Sequence, residues 1–252
     1  LNLLVVSPHR GDAAFSLAFA IDGWRKAGHR VTILSVFTRS RHAPFSDVDT
    51  LHENDQMSYA SAMRRREDEA FLRQMPGLTM LDLNGKDAPI RLRCEESEVR
   101  TAEVRADDKM LGKIQRAIAE IAASPRGLQG LVLPLGLGGH VDHRTVRQGA
   151  TPEDATMPCA CYEELPEAAE PGAEAEVAAR AAAWPSGPLA PVFGPSLQTA
   201  AWKRRMALLY GSQIDAATAD TIAGFAERYG GRERLWANAA WLAQGGRLAS
   251  LV

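Results

Sequence analysis

Short unbroken apolar runs alternate along this chain with longer stretches in which apolar residues recur every three or four positions. The runs are "LNLLVVS" (1–7), "VTILSVF" (31–37), "TMLDL" (79–83), "LQGLVLPLG" (128–136) and "MPCACYE" (157–163). Their length and lack of alternation predict strands covered on both faces. Between them, 13–27, 57–74 and 99–123 read as helices, the first apolar nearly all round and closed by Gly28 where a left-handed terminator belongs. A glycine-rich loop after 128–136 enters a further helix. Residues 164–195, rich in Ala, Glu, Pro and Gly, read as a peripheral excursion, and 198–210 and the remainder as helical.

Strand, helix and strand within the first forty residues make a βαβ unit, which requires a parallel sheet and a right-handed crossover. The fold class expected is α/β: a Rossmann-like three-layer sandwich with a mostly parallel sheet. One domain over 1–252 is expected, with the core in 1–150 and a C-terminal strand and helices in 151–252 completing the pocket.

Composition narrows the partners. A formal net charge of −2 over 252 residues gives no bias toward nucleic acid or an anionic membrane. Three cysteines, Cys94, Cys159 and Cys161, are too few for a disulfide framework in a chain of this size. No apolar run is long enough to span a bilayer, and the opening residues lack the basic region of a secretion signal. A soluble protein of the reducing cytoplasm is the expectation.

In open α/β sheets, ligands sit outside the carboxyl ends of the strands. That rule joins two loops: the one after the first run, with His9 and Asp12, and the one after 128–136, with His140, Asp142 and His143. Either motif alone reads as a helix cap beside a solvated histidine. Together, two imidazoles and a carboxylate (His9, Asp12, His143) form the ligand set of a catalytic zinc site with a position left open for water. Such an ion activates water and polarises a carbonyl, which serves amide or ester hydrolysis, and the set also suits another divalent metal. His140 is placed to protonate a leaving amine or stabilise an oxyanion, and Asp142 to fix a ring tautomer. His29, His42 and His52 fall in turns or charged loops and are read as structural. "PLGLGG" (134–139) lacks the Lys-Ser/Thr of a phosphate loop, and no glycine fingerprint follows the first strand, so a nucleotide-binding reading is weak.

With these residues in place, the chain resembles the PIG-L/LmbE-like family of zinc-dependent N-deacetylases. "VVSPHRGDAAFSL" is similar to that family's opening strand followed by His-Pro-Asp-Asp-Glu or His-Leu-Asp-Asp-Ala, and "GHVDHRTV" to its His-x-Asp-His motif. "RRREDEAFLRQM" and "WKRRMALLYGSQI" resemble its supporting helices. The resemblance implies removal of an acetyl group from a small-molecule N-acylated sugar or glycoconjugate, with no nucleic-acid partner and no membrane span; a homo-oligomer is compatible with it. It places metal ligands on His9, Asp12 and His143, the stabiliser of the tetrahedral intermediate on His140, and the carboxylate oriented against that histidine on Asp142. It also puts Arg64, Arg65 and Lys203 on the substrate side, and Arg10, which stands where the family motif has an apolar residue, is read as a further substrate contact.

The family's general base falls on Gly11, which has no side chain. Arg10 cannot replace it, because a guanidinium does not deprotonate at ordinary pH. Substitutes are another carboxylate (Glu67, Asp68, Asp47, Asp49 or Glu53 are candidates) or His140 doing both proton transfers. The alternative is a catalytically weak or inactive relative that binds metal and sugar.

Overall fold

The apolar runs become the centre of one seven-stranded sheet. The computed structural model describes residues 1–245 and 248. Its strands are β1 (Asn2–Ser7), β2 (Arg30–Ser35), β3 (Thr79–Asp82), β4 (Gly130–Pro134), β5 (Cys159–Tyr162), β6 (Ala190–Phe193) and β7 (Arg234–Ala237). They lie in the order β3-β2-β1-β4-β5-β7-β6. The first five are parallel, with Val5 level with Ile33 on one side and Val132 on the other, while β7 runs antiparallel to both β5 and β6. Leu3 to Val6 and Leu131 to Leu133 are buried, as continuous apolar strands must be when helices cover both faces.

The chain steps outward from β1 to β2 and β3, then returns to β4 beside β1. The carboxyl ends of β1 and β4 therefore flank the switch point of the sheet, the crevice where such folds take ligands. Helices α1 (Asp12–Lys26) and α4 (Val141–Ala150) leave from these two ends. α1 is buried from Ala13 to Trp24 because α6 (Ala200–Ala207) packs on it from outside. The other helices are α2 (Glu53–Gln74), α3 (Lys109–Ala122), α5 (Ala173–Ala182), α7 (Ala216–Glu227) and α8 (Ala239–Leu242). Among the described residues, no helix is long and apolar enough to cross a membrane.

Three readings of the sequence change. The helix expected over 99–123 begins only at Lys109, where the Asp108 side chain accepts the Met110 N–H at 2.9 Å. The stretch before it packs across the crevice instead: Val99 forms a small apolar cluster with Ala88 and Val141, and its carbonyl accepts the Val141 N–H at 2.8 Å. The excursion over 164–195 is part of the body, since it holds α5 and β6 and sends Val177, Ala181, Trp184 and Val192 into the main core. Its many alanines and glutamates masked a one-sided pattern. The helical tail is interrupted by β7, whose four residues are too few to show a period and are held by pairing with β5 and β6.

Candidate metal centre

Each loop is shaped by its own hydrogen bonds. At the end of β1, the Ser7 hydroxyl donates to the His9 carbonyl (2.7 Å) and accepts the Ala13 N–H (3.1 Å), turning the chain into α1. The His9 N–H donates to Asp12 Oδ2 at 2.7 Å, so both candidate ligands belong to one tight turn. Gly11 takes φ +100° at the start of α1, a conformation that side chains oppose. Beyond β4, the buried Glu164 carboxylate accepts the N–H groups of Leu135 (3.1 Å), Gly136 (2.6 Å) and Leu137 (3.1 Å). The loop then enters α4 through His140, whose Nδ1 accepts the Asp142 N–H at 3.1 Å.

His9 Nδ1 and His143 Nε2 both face the same oxygen, Asp12 Oδ2, at 3.3 and 3.4 Å. Among the described residues two donor sets lie within 4.8 Å: His9 with Asp12 and His143, and His9 with His140 and Asp142. The second set is already spent. Asp142 accepts from His9 Nε2 (3.0 Å), the Ala88 N–H (2.8 Å) and Arg91 Nη2 (2.5 Å), and His140 Nδ1 caps α4. The first set fits a divalent ion. Its two imidazoles turn one nitrogen each toward a shared carboxylate, and a second carboxylate stands at the other nitrogen of each ring: Asp142 at His9 and Glu164 at His143, the latter 3.4 Å away. Carboxylates so placed fix ring orientation and tautomer in zinc sites.

The electrostatics agree. Burial opposes charge on His9, but hydrogen bonds to Asp12 and Asp142 outweigh it and raise the ring to about 10. Burial would raise Asp12, yet the His143 and His9 charges hold it at about 2, and His9 holds Asp142 at about 2 in the same way. Burial and the neighbouring imidazoles push His140 down to about 2, so it is neutral. The cluster collects positive charge on its ligand atoms; a bound cation would replace those protons.

These groups line a cleft of about 510 Å³ with Phe15, Leu165 and Ile214 among its apolar walls and Arg64, Asp87, Glu96 and Glu167 among its polar ones. Of the expected substrate-side residues, only Arg64 reaches it, its Nη2 bonded to Gln213 Oε1 (2.6 Å) and the Arg10 carbonyl (3.2 Å). Arg10 turns inward, 6% exposed, and pairs with Asp68 and Asp82. Arg65 is exposed and faces Glu69 at 3.4 Å. Lys203 is fully buried against Glu233 at 2.5 Å. The Asp142 carboxylate holds His9 rather than the expected His140.

None of the five carboxylates considered as a substitute base lines the cleft; Glu67 is taken by Ser212 and Gln213, and Asp68 by Arg10 and Tyr210. His42, read as structural, stands on the cleft wall. Glu164 was missed altogether: one of two adjacent glutamates opening an Ala/Glu-rich stretch, it carries no signal until β5 sets it beside the loop.

The family model described as PIG-L, GlcNAc-PI de-N-acetylase, matches residues 4–152. No curated protein matches the chain significantly. Among solved structures, a triple mutant of the deacetylase in the teicoplanin biosynthetic pathway is 21% identical with TM-score 0.65, over 94% of this chain and 97% of that one. N,N'-diacetylchitobiose deacetylase from Pyrococcus horikoshii is 15% identical with TM-score 0.50, over 96% and 85%. The 4-carboxy-2-hydroxymuconate hydratase of Pseudomonas putida KT2440 is 12% identical with TM-score 0.54, over 94% and 95%. At such identities the likeness is one of fold, and the hydratase shows that this fold carries more than one reaction.

Proposed function

The chain belongs to the PIG-L family of GlcNAc-PI de-N-acetylases, and on that footing we propose that it is a metal-dependent hydrolase removing the N-acetyl group from an amino sugar or related glycoconjugate. The observation that carries this reading is the convergence of His9 Nδ1 and His143 Nε2 on Asp12 at the mouth of the cleft. These three residues would hold the ion, with zinc the metal best suited to the donors. When bound, it supplies a Lewis acid and lowers the pKa of water.

The rest of the chemistry falls to side chains. Because His140 Nδ1 accepts a hydrogen bond, the neutral ring carries its proton on Nε2. It is therefore a donor, suited to stabilise the oxyanion that develops on the amide oxygen. Asp142 acts one step removed, holding His9 in the orientation that turns Nδ1 toward Asp12. Arg64, fixed by Gln213, offers a cationic wall for substrate hydroxyl or carboxylate oxygens. Three unpaired cysteines suit a reducing compartment, the cytoplasm.

The test combines metal analysis of the purified protein with release of free amine from N-acetylated amino sugars. Near-stoichiometric zinc and chelator-sensitive deacetylation are expected; a protein free of metal whose properties ignore chelator would overturn the reading. Gly11 favours a second reading, a relative that binds metal and sugar with little turnover. Its signature is stoichiometric metal and measurable sugar binding without release of amine.

A further inference from the structure

The segment between β3 and α3 walls two cavities that share no residue. One is the metal-bearing cleft, which it lines through Asp87, Pro89, Glu96 and Val99. The other is a separate hollow of about 480 Å³ closed by the first turn of α3, a volume that suits a small molecule. Its less exposed wall is apolar, with Met110 buried and Ile90 and Leu92 half-buried. The rest is basic: Lys86, Arg91, Arg93, Arg105, Lys109 and Lys113 line it, against two acids, Asp107 and Asp108. In a chain whose formal net charge is −2, this is a local excess of cations.

Both acids are already matched. Asp107 accepts two hydrogen bonds of 3.0 Å from Arg105. Asp108 caps α3 with one oxygen and accepts Arg91 Nη1 with the other. Arg91 is spent as well, because its Nη2 holds Asp142 and its guanidinium lies 4.8 Å from the Phe37 ring centre. Lys113 Nζ has a neutral partner, the Leu83 carbonyl, at 3.1 Å. Among the described residues, no carboxylate pairs with Lys86, Arg93, Lys109 or Lys113. The backbone beneath them is pinned: the Arg39 N–H donates to the Gly85 carbonyl and the Asp87 N–H to the Arg39 carbonyl, both at 3.0 Å. Arg93 itself takes φ +57°, a conformation that residues with side chains seldom adopt.

Four unmatched cations around one concavity repel each other and concentrate anions from solution. A single carboxylate brings one charge and two oxygens. A phosphate ester brings nearly two charges and three strong acceptor oxygens, which suit ammonium groups and a guanidinium fork together. The apolar wall then suits an organic group on the ester. We propose that this hollow binds a small organic phosphate, with the phosphate among Lys86, Arg93, Lys109 and Lys113 and its organic part against Ile90, Leu92 and Met110. The site is distinct from the metal centre and stands whether or not the cleft hydrolyses an amide.

Titration calorimetry of the full chain with phenyl phosphate tests this. One site per chain is expected, with inorganic phosphate binding more weakly because it leaves the apolar wall uncovered. Arg93→Gly removes one cation and suits the positive φ, and Lys109→Gln removes another from an exposed position. Each should weaken phenyl phosphate about tenfold, the loss of one charge-assisted hydrogen bond, with the melting temperature unchanged. Unchanged affinity in both variants overturns the proposal and assigns any bound phosphate to the metal centre. Sulfate binding as tightly as phenyl phosphate also overturns it, since the hollow would then attract any anion. If a single-stranded oligonucleotide binds through Arg93 and Lys109 while phenyl phosphate does not bind, the surface serves a polyanion and the small-ligand proposal falls.

Discussion

At the residue scale, the candidate centre depends on carboxylates behind the ligands as much as on the ligands. Glu164 joins three backbone N–H groups of the β4–α4 loop to the far nitrogen of His143, so one side chain shapes the loop and aims the ring. Losing such a partner costs about 10–100-fold in metal affinity. Glu164→Gln should therefore weaken zinc binding by roughly that factor, read by competition with a zinc-chelating dye. Unchanged affinity would show that the 3.4 Å approach to His143 contributes nothing. Arg10 and Lys203 teach the converse. A cation beside a motif reads as a substrate contact, yet each is consumed by buried carboxylates of its own: Asp68 and Asp82 for one, Glu233 for the other. Which carboxylate a buried cation meets is a matter of packing, and no local pattern encodes it.

At the scale of elements, the start of α1 is the most constrained point. Gly11 carries both the positive φ and the close approach of Phe15 and Tyr210. Putting a carboxylate there requires strain that costs about 1–3 kcal/mol. Gly11→Asp is expected to lower stability to chemical denaturant by about that amount and to leave deacetylation no higher than before. A gain in turnover would mean that the turn relaxes to admit the family's base. The two loops that meet here were legible because each follows a long apolar strand; the short edge strands were not. β6 and β7 are four residues each, and their pairing partners lie far away in the chain. Likewise the run from Val99 to Asp108 has helical spacing, but cross-cleft contact with Val141 decides its path.

At the scale of the molecule, the sheet brings ionisable side chains from distant segments into one buried cluster. Asp12, Asp142 and Glu164 hold protons on His9 and His143, and a divalent ion relieves that arrangement while tying α1 to α4. Binding of this kind stabilises the folded state by about 2.7 kcal/mol at one hundred times the dissociation constant. In a domain of this size that corresponds to about 5–10 °C in melting temperature. Chelator should lower the transition by that order, and stoichiometric zinc should restore it. A transition that ignores chelator would place no ion between the two loops.

By itself, the sequence marked the parallel βαβ core, the two loops that follow its apolar strands, and His9, Asp12 and His143 as residues that those loops could bring together. It could do so because strand burial and ligand spacing are local patterns, each readable within a few residues. The tertiary structure alone decided that Asp142 serves His9, that Glu164 serves His143, and that Arg10, Arg65 and Lys203 stay away from the cleft. It also set Asp87 in the cleft wall, with one carboxylate oxygen unpaired among the described residues. Those outcomes depend on which side chains meet across segments separated by many residues, and only the packed sheet and its helices bring such pairs together.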